Sequence, residues 1–235
     1  MKKIMFGLAA AIAIGAIADV ESSNIVGYGQ NGLRFGYSLV TAQFVGVGGS
    51  TLSLESLKAL GSEASDNVTL AAVDEYGAAI TTYIWNDWAA AEPCWVDESY
   101  APVENVSITS GQAFWTGGSS DAQSVQSVGE VGFQDVVVPL RFGYTLVGNP
   151  FPVSVALQDI VAVGEGTSDN VTLATIDEYG AAVDTYIWND WAAAEPCWVN
   201  ESYEPVENVS FAPGEGLWTG GSSDAQSIRI PAPEL

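Results

Sequence analysis

The chain has 235 residues, with 29 Asp+Glu against 6 Lys+Arg, no histidine and a formal charge of −23. That balance excludes nucleic-acid binding, which needs cations to displace the counterions of phosphate, and it disfavours anionic membrane surfaces. Hydrophobic residues still make up 48% of the chain, with 8 Trp, 9 Tyr and 8 Phe, so this is no disordered acidic tail and packed cores are expected.

Lys2 and Lys3, the apolar stretch from Ile4 to Ile17 and the small-x-small site Ala16-Ile17-Ala18 have the form of a secretory signal peptide over 1–18. The stretch falls short of the ~20 apolar residues a membrane-spanning helix needs. A mature chain from Asp19, with no membrane span after cleavage and a secreted, extracellular or cell-surface destination, is therefore expected. Removing Lys2 and Lys3 leaves 4 cations against the same 29 acids.

Two tandem repeats follow. Residues 65–124 align with 168–227 without a gap, an offset of 103, and 48 of the 60 positions are identical. Upstream, Arg34-Phe-Gly-Tyr-Ser-Leu-Val40 matches Arg141-Phe-Gly-Tyr-Thr-Leu-Val147 at an offset of 107, so the first copy carries four extra residues near Gly46–Ser50. Val26-Gly-Tyr28 also resembles Val131-Gly-Phe133, at an offset of 105, which makes the mature N-terminus the expected first strand of repeat 1. The domains are read as 19–127 and 128–235. Apolar-for-apolar differences such as Val73/Ile176 and Ile108/Phe211 suit core positions, whereas Thr81/Asp184 and Ala101/Glu204 suit solvent-facing ones.

Within repeat 2, short β-branched and aromatic runs bounded by turn residues predict strands at 135–140, 144–147, 170–176, 183–188, 206–211, 217–219 and 227–230. Asp177-Glu-Tyr-Gly180 reads as a hairpin turn. Ser53–Leu60 and Val155–Val161 each read as two short helical turns, and Trp191–Pro196 as a turn or loop. The fold class expected is all-β: two tandem antiparallel β-sandwich or small β-barrel domains, each with at most one short helix.

Gly148-Asn-Pro-Phe-Pro152 and Gly214-Glu-Gly-Leu-Trp218 resemble an uncharacterised module of secreted and surface β-sandwich proteins of bacteria. That module opens with G-N-P-[FY]-P and closes with G-x-G-[FLW]-[FW]. Glu21-Ser-Ser-Asn-Ile-Val-Gly-Tyr28 is similar to the mature N-terminus of a group of exported bacterial proteins. Repeat 1 departs from the pattern, with Thr41-Ala-Gln-Phe44 and Gly111-Gln-Ala-Phe-Trp115. The resemblance implies a fold and no catalytic residue.

Without histidine, neither a His-activated nucleophile nor the usual zinc set can be assembled. The carboxylate pairs Asp87/Glu92 and Asp190/Glu195 have glycosidase-type chemistry, but an acid-rich chain contains many such pairs by number alone, and a non-enzymatic protein is expected. The sharper site is aromatic. Trp88 and Trp95 with Asn86 and Asp87, and Trp191 and Trp198 with Asn189 and Asp190, offer ring faces for sugars beside groups that bind hydroxyls. The competing reading packs these rings into the core. Asp66, Asp74, Asp169 and Asp177 supply oxygens for a calcium ion without any recognised spacing; no other cofactor is indicated. Cys94 and Cys197, at equivalent points of the two repeats, either form an inter-domain disulfide or are separate small buried residues. The leading functional expectation is a self-associating structural protein of the cell surface or extracellular matrix, a filament or coat subunit whose segment Ser22–Tyr28 adds to a sheet edge. The alternative is a carbohydrate-binding protein whose partner is an extracellular glycan.

Overall fold

The computed structural model describes residues 26–49, 51–118, 120–221 and 223–233; the signal-peptide segment 1–18 and Ser22–Ile25 lie outside them. The described chain is all-β, with 48% of it in strands. Repeat 1 supplies β1 (Val26–Gly32), β2 (Gly36–Thr41), β3 (Leu52–Ser53), β4 (Leu57–Leu60), β5 (Thr69–Val73), β6 (Ala79–Asn86), β7 (Cys94–Val96), β8 (Ser107–Ile108), β9 (Ala113–Gly118) and β10 (Ser124–Glu130). Repeat 2 supplies β11 (Val136–Pro139), β12 (Gly143–Gly148), β13 (Val155–Ala156), β14 (Val161–Val163), β15 (Thr172–Ile176), β16 (Ala182–Asn189), β17 (Cys197–Val199), β18 (Ser210–Phe211), β19 (Gly216–Gly221) and β20 (Ser227–Ile230).

Each repeat builds the same sheets. A five-stranded sheet has the order β2-β9-β5-β6-β7 in repeat 1 and β12-β19-β15-β16-β17 in repeat 2. A three-stranded sheet has the order β1-β10-β4 or β11-β20-β14, and β3-β8 or β13-β18 form a short ribbon. The four larger sheets are arranged like the blades of a four-bladed β-propeller. The 127/128 division falls inside β10, whose residues through Glu130 pair with β1. Val131–Phe133 is not strand. Gly32 and Pro139 both face the matching serines Ser124 and Ser227, so the first strands of the two repeats correspond at an offset of 107 rather than 105.

The helical expectation gives way to strand. Ser53–Leu60 contains one 3-10 turn, Leu54–Ser56, between β3 and β4, and Val155–Val161 has the same turn at Leu157–Asp159. Alternation decides this: Leu57 and Ala59 are buried while Lys58 points to solvent, the period of a strand with one face on a core. The hairpin joining β5 to β6 forms because Asp74 Oδ1 accepts from the amides of Tyr76 (2.9 Å) and Ala78 (2.8 Å), with Gly77 supplying a φ of 84°.

Each repeat has its own core. In repeat 1, Val40, Leu70, Trp85 and Phe114 of the five-stranded sheet pack with Leu57, Ala59 and Val125 of the three-stranded one; repeat 2 repeats this around Leu173, Trp188, Leu217 and Ile228. A third, smaller core joins the repeats: Leu39, Val73 and Ala113 against Leu146 and Ile176, flanked by Trp115 and Trp218.

Contacts across this seam are reciprocal. Arg34 Nη2 donates to the Ile176 carbonyl (2.6 Å), and Arg141 Nη2 donates to the Val73 carbonyl. The Tyr37 amide donates to the Glu178 carbonyl and the Tyr144 amide to the Glu75 carbonyl, both at 3.0 Å. Val40 bridges to Glu215, and Val147 to Gln112. Trp115 and Trp218 meet edge to face with centroids 5.2 Å apart. Gly77 lies under the Trp218 ring and Gly180 under Trp115; a Cβ would sit 2.7 Å or 2.6 Å from the nearest ring atom. The seam is thus isologous, with the halves related by an approximate twofold axis.

Candidate functional site

The loop following β6 is organised by a side chain with no solvent exposure. Asn86 Oδ1 accepts from the amides of Trp88 (3.0 Å) and Ala89 (2.6 Å), while its Nδ2 donates to Asp66 Oδ1 (2.8 Å). Asp66, at a φ of 64°, donates its own amide to the Trp85 carbonyl (2.7 Å), which fixes its carboxylate at the end of β6. The second carboxylate oxygen accepts from Trp88 Nε1 (3.1 Å). The Asp87 amide donates to Ser65 Oγ (3.1 Å).

So held, the Trp88 indole lies against Tyr100, with centroids 5.3 Å apart and ring planes 28° from parallel. Tyr100 comes from a turn beyond β7 with a φ of 60°, set by Asp97 Oδ1 accepting from the amides of Ser99 and Ala101. Although anchored at its nitrogen, Trp88 is 61% exposed. Repeat 2 rebuilds the platform: Trp191 is 60% exposed, stacks on Tyr203 at 5.1 Å and 28°, and donates Nε1 to Asp169 Oδ2 (3.0 Å). Asn200 replaces Asp97 there without loss, because its side-chain carbonyl accepts the same two amides, of Ser202 and Glu204.

Several sequence expectations need correction. Trp95 and Trp198 are buried, with Nε1 bonded to the carbonyls of Leu57 and Ile160 at 2.8 Å, and they pack edge to face on Trp85 and Trp188. They are core residues. Asn86 and Asn189 are also buried, and their polar atoms serve the loop rather than a ligand. The four candidate calcium ligands do not converge. Asp66 and Asp169 hold the indoles, while Asp74 and Asp177 cap hairpin turns at the other ends of β5 and β15. Among the described residues, no group of three His, Cys, Asp or Glu could hold a metal ion.

Cys94 and Cys197 are unbridged. They begin β7 and β17, the outer strands of the five-stranded sheets, whereas the repeats meet through β2, β5 and β9 against β12, β15 and β19. Asp87 and Asp190, which precede the platform tryptophans in the chain, are exposed. Asp87 and Glu92 line one open cleft of about 600 Å³ together with Lys58 and Trp85.

No family model matches the chain, nor does any curated protein or solved structure. Among the described residues, no helix is long and apolar enough to cross a membrane.

Tyr100 and Tyr203 are the members of the platform that sequence reasoning missed. Their position in the shared Glu-Ser-Tyr run marked them as duplicated, but only the fold brings them against a tryptophan twelve residues away. Away from the platforms, burial pushes the Glu215 carboxyl above its ordinary value, partly offset by the Ala212 amide and Arg34. Its counterpart in repeat 1 is the neutral Gln112.

Proposed function

We propose that this is a non-enzymatic secreted protein of the cell surface or extracellular matrix that binds neutral saccharide through its two Trp/Tyr platforms. The observation carrying the reading is the exposure of Trp88 and Trp191 while their indole nitrogens are tied down. A large apolar face left in water and held in one orientation is the mark of a contact surface rather than of core packing. Pyranose rings present C–H faces that stack on such a surface, and the exposed Asp87 and Asp190, next to the tryptophans in the chain, offer carboxylates that accept from hydroxyls. The charge of −23 selects against anionic glycans. Each repeat is taken as one sandwich-like unit, its five- and three-stranded sheets closing on a single core, carrying one platform.

The test is retention of the mature protein on chitin, microcrystalline cellulose, agarose and immobilised glucomannan, with hyaluronate as the anionic control. Retention on a neutral polymer, lost in Trp88→Ala/Trp191→Ala, is expected. No retention of the wild type on any of them overturns the reading.

A specific observation also favours self-association, the expectation that ranked first from sequence. β1 is an edge strand, and on its solvent face Val26 and Tyr28 are exposed, with Val128 opposite Tyr28. A second copy could extend this sheet. A strictly monomeric protein on sizing at high concentration, with and without calcium, counts against that reading.

A further inference from the structure

Two copies of one site can grip a single polymer twice or two polymers once each, and the symmetry of their arrangement decides between these. We infer that the platforms hold separate saccharide strands, making the protein a cross-linker; this rests on the saccharide reading above.

The arginine–carbonyl, amide–carbonyl and glycine–indole contacts of the seam are reciprocal, so one platform is carried onto the other by a twofold rotation rather than by a translation. A polysaccharide has a direction, from non-reducing to reducing end. A strand passing from one platform to the other across the axis meets the second site with that direction reversed. A site recognising the polymer in one sense therefore cannot engage the same straight strand at both places. Tandem domains related by translation would lack this restriction.

The reach of β6 and β16 adds to it. Each begins beside the seam, where Gly77 packs under Trp218 and Gly180 under Trp115, and runs eight residues away from it before its platform loop. At roughly 3.3 Å per residue this carries each indole more than about 20 Å from its own seam contact. The seam itself is fixed by apolar packing, paired arginine–carbonyl bonds and the central Trp115–Trp218 contact. The platforms are therefore held apart rigidly and cannot turn to face one strand in the same sense.

The experiment uses mature protein and the neutral polysaccharide that retains it, coupled to beads, with a fluorescent soluble form of the same polymer added afterwards. Wild type is expected to bind the beads and recruit the soluble polymer. Trp88→Ala and Trp191→Ala should each still bind, with capacity or affinity down only about twofold, as for the loss of one of two independent sites, yet recruit nothing. Trp88→Phe, which keeps a ring but loses the bond to Asp66, checks that recruitment follows the platform rather than the fold, and should retain part of it. Far-ultraviolet circular dichroism confirms that each variant is folded. Bound wild type that recruits no polymer overturns the inference, as does either alanine variant that still recruits, or one whose affinity for bead-bound polymer falls by about a hundredfold, the signature of two sites on one strand. No binding of wild type to any polymer overturns instead the saccharide reading beneath it.

Discussion

Replacing Asn86 by alanine deletes a side chain that solvent does not reach, and with it two accepted amide bonds and one bond donated to Asp66. Each such bond contributes about 1 kcal/mol net, and an orphaned buried donor costs about 1–3 kcal/mol. Water can reach part of the opened loop, so a total loss of about 2–4 kcal/mol is expected. Urea denaturation followed by tryptophan fluorescence measures it, and Asn189→Ala should lose the same amount from an identical environment. Asn86→Asp separates the bonds: both amides keep an acceptor, but a second carboxylate now faces Asp66 where the donor stood at 2.8 Å. Its deficit should therefore shrink as pH falls through the ordinary carboxylate range and one of the pair protonates. A loss within about 0.5 kcal/mol of zero for Asn86→Ala would refute the account, since that is the scatter of ordinary surface substitutions. So would identical pH profiles for the two variants.

Three further outcomes are expected. Burial raises the folded-state value of the Glu215 carboxyl, so its stabilising contribution is whole below the ordinary glutamate range and is lost as pH rises through the raised value; Glu215→Gln, which copies Gln112, should flatten that fall in the urea midpoint and leave neutral stability equal or higher. Trp115→Ala should cost about 2–4 kcal/mol in thermal or urea unfolding. Trp218→Ala should match it, and the double variant should lose less than the sum because the rings touch each other. Unfolding without reductant should release two thiols per chain to a thiol reagent, from Cys94 and Cys197, and an absence of free thiol would contradict the unbridged arrangement.

What the sequence made legible follows from what is local. Duplication guaranteed that a strand found once was found twice, and β20 lies at Ser227–Ile230 as its alternation implied. The hairpin at Asp177–Gly180 was readable because its turn chemistry lies within four residues. By contrast, β7 and β17 are three-residue strands after a proline, too short for any period to register. The pairing of β9 with both β2 and β5 is fixed by burial across long sequence separations, which no local pattern encodes. At the site, residue type pointed to Trp88 and Trp191 but could not separate them from Trp95 and Trp198. All four lie in the same shared run, and only the strand register shows which rings turn inward. The acids assigned to calcium proved to be the hydrogen-bond partners of exposed indoles, a role that inventory alone does not reveal.

The way the chain enters and leaves each three-stranded sheet has a mechanical consequence. Val26, where the chain enters β1, lies opposite Glu130, where it leaves β10; Val136 and Ile230 are likewise opposite one another in repeat 2. Tension applied along the chain therefore pulls neighbouring strands apart at one end of their ladder, and hydrogen bonds break in succession instead of together. A protein anchored by its N-terminus and loaded from its far end would yield first at β1, as a soft extensible element. The five-stranded sheets that carry the aromatic rings lie off that line of force and would keep their grip while the rest of the repeat gives.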